Sequence, residues 1–221
     1  MASTETISQS QPARNPVARS PIAPRRPVQS QQSWEVSGAR SAGPLRLIDL
    51  TPLTKTLVRT APGSDAARRL ECPFGRTRRD NGSLVIGAGP DEWLILSPAG
   101  TQPPVVVEIE GAGGAPSDAS LLTVIDVTHG SVILRLAGGD SDRVLEKICA
   151  IDLSERVTPD GSSFRSSVAR LRCTVVRDDL DGERSYLIES DRSSGQYLFD
   201  AICDAGTEFA MQVDGYPDKE I

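Results

Sequence analysis

From Leu45 onward, apolar positions recur at two spacings, and the switches between them mark out elements. Alternation over residues 53–60 predicts a strand. Pro62-Gly63-Ser64-Asp65 supplies a cap for a short helix over 66–72. Asn81-Gly82 lies between two strand-like runs, and both residues tolerate the positive φ of a two-residue hairpin turn. A meander over about 74–80, 83–87 and 92–97 follows. Residues 98–120 are rich in Pro and Gly around Val105-Val-Val-Glu-Ile109, read as an edge strand. Gly111–Pro116 reads as a link between halves.

The second half predicts strands over 121–127 and 131–137. Gly138-Gly139-Asp140-Ser141 then caps a helix running to about Ala150. One strand spans 167–177, a charged turn 178–182, and a strand 184–190. Ser193 and Ser194 open a helix to about Ala205 that buries Tyr197, Leu198 and Ile202, and a closing strand covers 208–213. The expected fold class is α+β with two βαββ-type modules. The second is ferredoxin-like, βαββαβ. The first has the same opening without a second helix. The expected domains are 45–120 and 121–213, with a tail over 214–221.

Residues 1–44 are Pro-, Ser- and Arg-rich without apolar periodicity and read as a disordered tail. Their prolines oppose the amphipathic helix of a transit peptide, and they contain no apolar core of a secretory signal. The expected location is cytoplasmic. The tail's five arginines oppose only Glu5 and Glu35, so the chain's net charge of −6 puts about −9 on the rest. An acidic body is ill suited to neutralising phosphates, which excludes nucleic acid as a partner. No apolar run approaches the roughly 20 residues that span a bilayer.

Reactive groups are sparse. Cys72, Cys149, Cys173 and Cys203 form no C-x-x-C pair and read as small buried hydrophobes. His129 is the only histidine, so a multi-His metal centre is impossible within one chain. It reads as a structural or surface residue, since no base partner is visible. Gly87-Ala-Gly89 fails as a dinucleotide loop because Glu92 replaces the third glycine and a strand, not a helix, follows. Gly138-Gly139 reads as helix capping, and the loop 178–182 lacks the oxygen ligands of a calcium site. Arg68, Arg69, Arg76, Arg78 and Arg79 form a basic cluster, either a solvated face or a docking surface for an acidic partner or a polyanionic cofactor tail.

Two blocks carry a family resemblance. The first is Gly89-Pro-Asp-Glu-Trp-Leu-Ile-Leu96. The second runs from Val124-Ile-Asp-Val-Thr-His-Gly130 through Asp142-Arg-Val-Leu-Glu-Lys-Ile-Cys-Ala-Ile-Asp-Leu153 to Asp191-Arg-Ser-Ser-Gly-Gln-Tyr-Leu198. Over roughly 45–205 this resembles the gamma subunit of heterotetrameric sarcosine oxidase, related to the folate-binding aminomethyltransferase fold. The resemblance implies an accessory subunit of a complex that demethylates sarcosine to glycine and passes the one-carbon unit to tetrahydrofolate. It implies larger flavin- and folate-binding partner subunits, which carry FAD, FMN, NAD and tetrahydrofolate, with no cofactor, catalytic residue or metal in this chain. Candidate partner-interface residues are Arg76, Arg78, Arg79, Trp93, His129, Arg192 and Tyr197. The Pro/Gly-rich 98–120 departs from the family, which has a helix there, and so does the long tail. Two other readings remain: a stand-alone folate-binding protein and a ferredoxin-like module that senses an amino acid.

Overall fold

The computed structural model describes residues 16–111 and 122–217. Three short strands come first: β1 (Ala18–Arg19), β2 (Val28–Gln31) and β3 (Trp34–Ser37). Then follow β4 (Leu45–Asp49), β5 (Thr54–Arg59), α1 (Asp65–Leu70), β6 (Thr77–Asp80), β7 (Ser83–Gly89), β8 (Glu92–Ser97) and α2 (Pro104–Gly111). The remainder is β9 (Thr123–Asp126), β10 (Ser131–Gly138), α3 (Ser141–Glu146), β11 (Ser163–Val168), β12 (Leu171–Arg177), β13 (Ser185–Asp191), α4 (Gly195–Ala205) and β14 (Gln212–Asp214).

Two main sheets stack between two pairs of helices. The first sheet has the order β6-β7-β8-β5-β9 and the second β11-β12-β13-β10-β4-β14. Strand alternation explains the layering. On β8, Trp93 and Ile95 face α1 and α2, while Leu94 and Leu96 face the second sheet. On β10, Val132, Leu134 and Leu136 face α3 and α4, while Ile133 faces the first sheet. Both faces of the central strands are therefore out of water, so β7, β8 and β10 are buried at every position.

The two sheets are copies of one plan. β5-α1-β7-β8-α2-β9 and β10-α3-β12-β13-α4-β14 each follow βαββαβ, with strand orders that match except that β4 sits between β10 and β14. Each copy also carries one extra hairpin strand, β6 or β11. The helix missing from the sequence reading of the first module is α2, in the segment expected to be an edge strand. Pro104 suits the first turn, where no intrahelical N–H is needed, and Val105, Val106 and Ile109 are buried under it. Burial of one helical face outweighs the strand preference of consecutive valines.

A division at residue 120 does not describe the sheets. β4 comes from the first half but pairs with β10 and β14, and β9 comes from the second half but pairs with β5. The span 167–177, expected as one strand, is a hairpin: β11 and β12 turn at Ala169-Arg170, with φ of 48° and 69°.

The expected disorder of 1–44 is also corrected for residues 16–44; residues 1–15 lie outside the described residues, as does most of the expected link 111–116. β1, β3 and β2 form a small sheet. Trp34 and Val36 alternate inward and join the apolar cluster between the main sheets, with Tyr216. The backbone of Tyr216 donates to Ser37 O at 3.1 Å, which sews the arm to the C-terminal end. Three anchoring side chains, Ile22, Trp34 and Val36, give this polar segment enough burial to order it.

Gly87 shows why the Gly-Ala-Gly stretch exists. A Cβ there would lie 2.1 Å from Pro73 O. The loop carrying Pro73 and Gly75 crosses directly over β7, with Gly75 N donating to Gly87 O at 3.0 Å. The glycine allows backbone to approach backbone.

Candidate functional site

A cleft of about 210 Å3 with a charged lining lies at one end of the space between the main sheets. Its walls follow from strand register. Arg59 and Glu92 are paired across β5 and β8. Thr174 on β12 sits opposite both Arg165 on β11 and Glu189 on β13. One pleat further along are Arg172 and Asp191, on the same face by the two-residue period.

Glu92 bridges the sheets. Arg59 donates to one of its oxygens, through Nε at 2.7 Å and through Nη2, and Arg165 Nη2 donates to the other. The Glu92 side chain is 9% exposed. Its burial would raise the carboxyl, but hydrogen bonds from Arg59 and Arg165 win and hold it below its ordinary value. Glu189 shows the opposite balance. Burial pushes its carboxyl up, and the Thr174 and Ser131 hydroxyls offset only part of that. Cys173 lies at the cleft wall with its thiol pushed up to about 11 by burial, so it is not a thiolate near neutral pH.

A second cleft, about 380 Å3, lies between β5, β9 and α2, lined by Thr54, Thr56, Glu110 and Asp126 among others. Its described lining contains no cation. Among the described residues no group of three His, Cys, Asp or Glu side chains is placed to hold a metal, and no helix is long and apolar enough to cross a membrane.

The residues singled out from sequence fall in five places. Arg76 and Arg79 join the two sheets: Arg76 reaches the Ser162 hydroxyl at 3.4 Å, and Arg79 reaches both Asp178 oxygens at 2.6 and 2.8 Å. Arg78 instead donates to the Leu70 carbonyl at the end of α1. Trp93 is 5% exposed, and its indole N–H donates to Cys72 O at 2.8 Å, so it is a core residue under α1 and α2. His129 and Arg192 both hold the N-terminal arm. The imidazole stacks on Trp34 with centroids 5.0 Å apart, and Arg192 Nη2 donates to Arg19 O. Tyr197, expected to be buried, is 54% exposed; its hydroxyl donates to Ala169 O at 3.2 Å and ties α4 to the β11–β12 turn.

Sequence reasoning did not assemble Arg59, Glu92, Arg165, Arg172 and Glu189. Alternation on 171–177 does set Arg172 and Thr174 on one face. Nothing local announces that Glu92 meets an arginine 73 residues away.

The profile of the GCVT N-terminal domain family matches residues 75–218, and the chain belongs to that family. Within it, the chain resembles sarcosine oxidase gamma subunits. That of Corynebacterium sp. (strain P-1) is 26% identical over 182 residues, 78% of this chain and 85% of its own. That of Arthrobacter sp. is 27% identical over 180 residues, 77% of this chain and 84% of its own. Among solved structures, a chain of the heterotetrameric sarcosine oxidase from Corynebacterium sp. U-96, in complex with pyrrole 2-carboxylate, superposes with a TM-score of 0.65. Its identity is 24%, over 78% of this chain and 89% of that one. The glycine cleavage system aminomethyltransferase T from Bartonella henselae superposes with a TM-score of 0.61 at 14% identity, over 85% of this chain and 55% of that longer one. Both show the same fold: this α+β architecture is that of part of an aminomethyltransferase.

Proposed function

We propose that this chain is the accessory gamma subunit of a heterotetrameric sarcosine oxidase. The observation that carries this reading is the pair of gamma-subunit relatives, each aligned over more than three quarters of this chain and most of its own length. On this reading the chain works in the cytoplasm beside larger subunits that hold FAD, FMN, NAD and tetrahydrofolate. Those subunits demethylate sarcosine to glycine and transfer the one-carbon unit to tetrahydrofolate.

The geometry supports a scaffolding role. Two sheets share one apolar interior and are cross-tied by Arg79–Asp178 and Arg165–Glu92. Such a body gives a rigid surface for neighbours. The inter-sheet cleft does not fit a folate: about 210 Å3 is below the roughly 300–1,000 Å3 of pockets that enclose drug-sized ligands.

The test is purification of the tagged full-length chain from its native cell. Two larger flavin-containing partners should come with it in fixed ratio, and sarcosine oxidation should follow the complex. Recovery of the chain alone overturns the proposal. Calorimetry of the same chain with tetrahydrofolate separates the stand-alone reading, which requires saturable heat.

A further inference from the structure

The inter-sheet cleft is lined by Arg59, Arg165 and Arg172 and by Glu92, Glu189 and Asp191, and part of that capacity is unspent. Arg59 uses Nε and Nη2 on Glu92, and Arg165 uses Nη2. Their side chains are 59% and 51% exposed, so part of each guanidinium remains open to solvent. Arg172 has no side-chain partner among the described residues and lines the same space. On the neighbouring β13 are Glu189, opposite Thr174, and Asp191, and neither forms an ion pair among the described residues.

This differs from an ordinary solvated charge run. A structural network would pair its members, as Arg79, Arg135 and Asp178 do elsewhere between the same sheets. Here Glu92 takes one edge of Arg59 and of Arg165, while Arg172 and the half-buried Glu189 line the same concavity without an ion pair among the described residues. Burial disfavours the charged form of Glu189, and a cation placed in the cleft would relieve that cost. Arginine presents a planar fork that matches a carboxylate. At about 210 Å3 the cleft lies below the roughly 300–1,000 Å3 of pockets for drug-sized ligands, which suits a smaller molecule.

We propose that the cleft between the sheets binds a small zwitterion, an amino acid whose carboxylate is held by Arg172 beside Arg59 and Arg165 and whose amino group faces Glu189 and Asp191. Neither half of such a ligand would be satisfied by the cations or the carboxylates alone. The site needs both sheets, which gives the two-copy architecture a binding role in addition to a packing one. The inference stands independently of the partner reading above.

The test is titration of the purified full-length chain by calorimetry and by protein NMR with glycine, sarcosine, acetate and methylamine. Glycine or sarcosine should saturate in the millimolar range, and acetate and methylamine should bind at least roughly tenfold more weakly. Arg172→Gln, a change at an exposed side chain, should weaken the amino acids roughly tenfold while leaving the unfolding midpoint unchanged. Glu189→Gln should weaken the amino acids and leave acetate unaffected. Shifts should cluster on β12, β13 and the end of β5. Absence of saturation, acetate binding as tightly as glycine, or an unaltered Arg172→Gln affinity each overturns the proposal.

Discussion

Arg135 on β10 and Asp178 after β12 form a 2.8 Å ion pair with side chains only 3% and 6% exposed. Arg135 also donates to the Asp178 carbonyl at 3.2 Å and the Ser185 hydroxyl at 2.8 Å. Arg79 reaches the same carboxylate from the first sheet. A charge from each sheet thus meets one buried aspartate. Removing the carboxylate strands a guanidinium out of water, the costly way to break a buried pair. Asp178→Asn should destabilise by about 3–5 kcal/mol, read as the change in urea midpoint. Arg79→Gln, with its side chain 45% exposed, should cost no more than about 1 kcal/mol. Replacing both buried partners, Arg135→Met with Asp178→Leu, should recover much of the loss; an equal or greater loss would refute this account.

Gly87→Ala tests the crossing of the Pro73 loop over β7. The new methyl would meet backbone, not a flexible side chain. The loop must move, giving up the Gly75–Gly87 hydrogen bond. Destabilisation of about 1–3 kcal/mol is expected from overpacking, with the loss of slow hydrogen exchange confined first to β6 and β7. Ala88→Gly serves as the nearby control for a change without added volume.

Lys55 is fully buried, and its ammonium donates to the carbonyls of Thr51, Leu53 and Thr128 at 2.7, 3.1 and 2.8 Å. Burial lowers it from 10.5 to about 8, with Asp49 the main influence in the other direction. The unfolded chain therefore keeps a proton between pH 8 and 10.5 that the folded chain has released. Stability from this group rises with pH through that window, and is lost as pH falls to about 8. The stability difference between the native chain and Lys55→Met should shift by about 2 kcal/mol in favour of the native chain from pH 8 to pH 10. Denaturant titrations at the two pH values check it, and a pH-independent difference would show that the carbonyls hold the proton in place.

Trp34 and His129 test whether the N-terminal arm belongs to the fold. Trp34 is 5% exposed and joins the cluster of Leu84, Leu94, Ile133 and Leu187. Trp34→Ala should cost about 3–5 kcal/mol as a buried aromatic truncation. His129→Ala removes only the stacked ring and should cost about 0.5–1.5 kcal/mol. Thermal unfolding followed by tryptophan fluorescence and by far-UV circular dichroism should give a single shared transition. An arm that melts separately would show up as two.

Four two-residue turns show where legibility in the sequence stops. Asn81-Gly82 has φ of 46° and 79°, and Asp181-Gly182 has 51° and 80°. Both were readable, because Asn, Asp and Gly are the residues that tolerate that backbone. Gln32-Ser33, at 48° and 68°, and Ala169-Arg170, at 48° and 69°, adopt the same geometry without such residues. The flanking strand pairs hold them there, at a cost that local composition does not reveal. The local pattern over β11–β12 therefore reads as one strand, and the prolines around β2–β3 mask that hairpin.

The site divides in the same way. The alternation that sets Arg172 and Thr174 on one face of β12 is a property of the local sequence, as are the helix caps, the meander and the absence of a multi-histidine centre. That the opposite wall is Glu92, and that β4 and β9 exchange sheets, depends on contacts between residues far apart in the chain. Local periodicity determines which side of a strand is apolar; only the burial of two such faces against each other decides which strands become neighbours, because that free energy exists only when both sheets have formed.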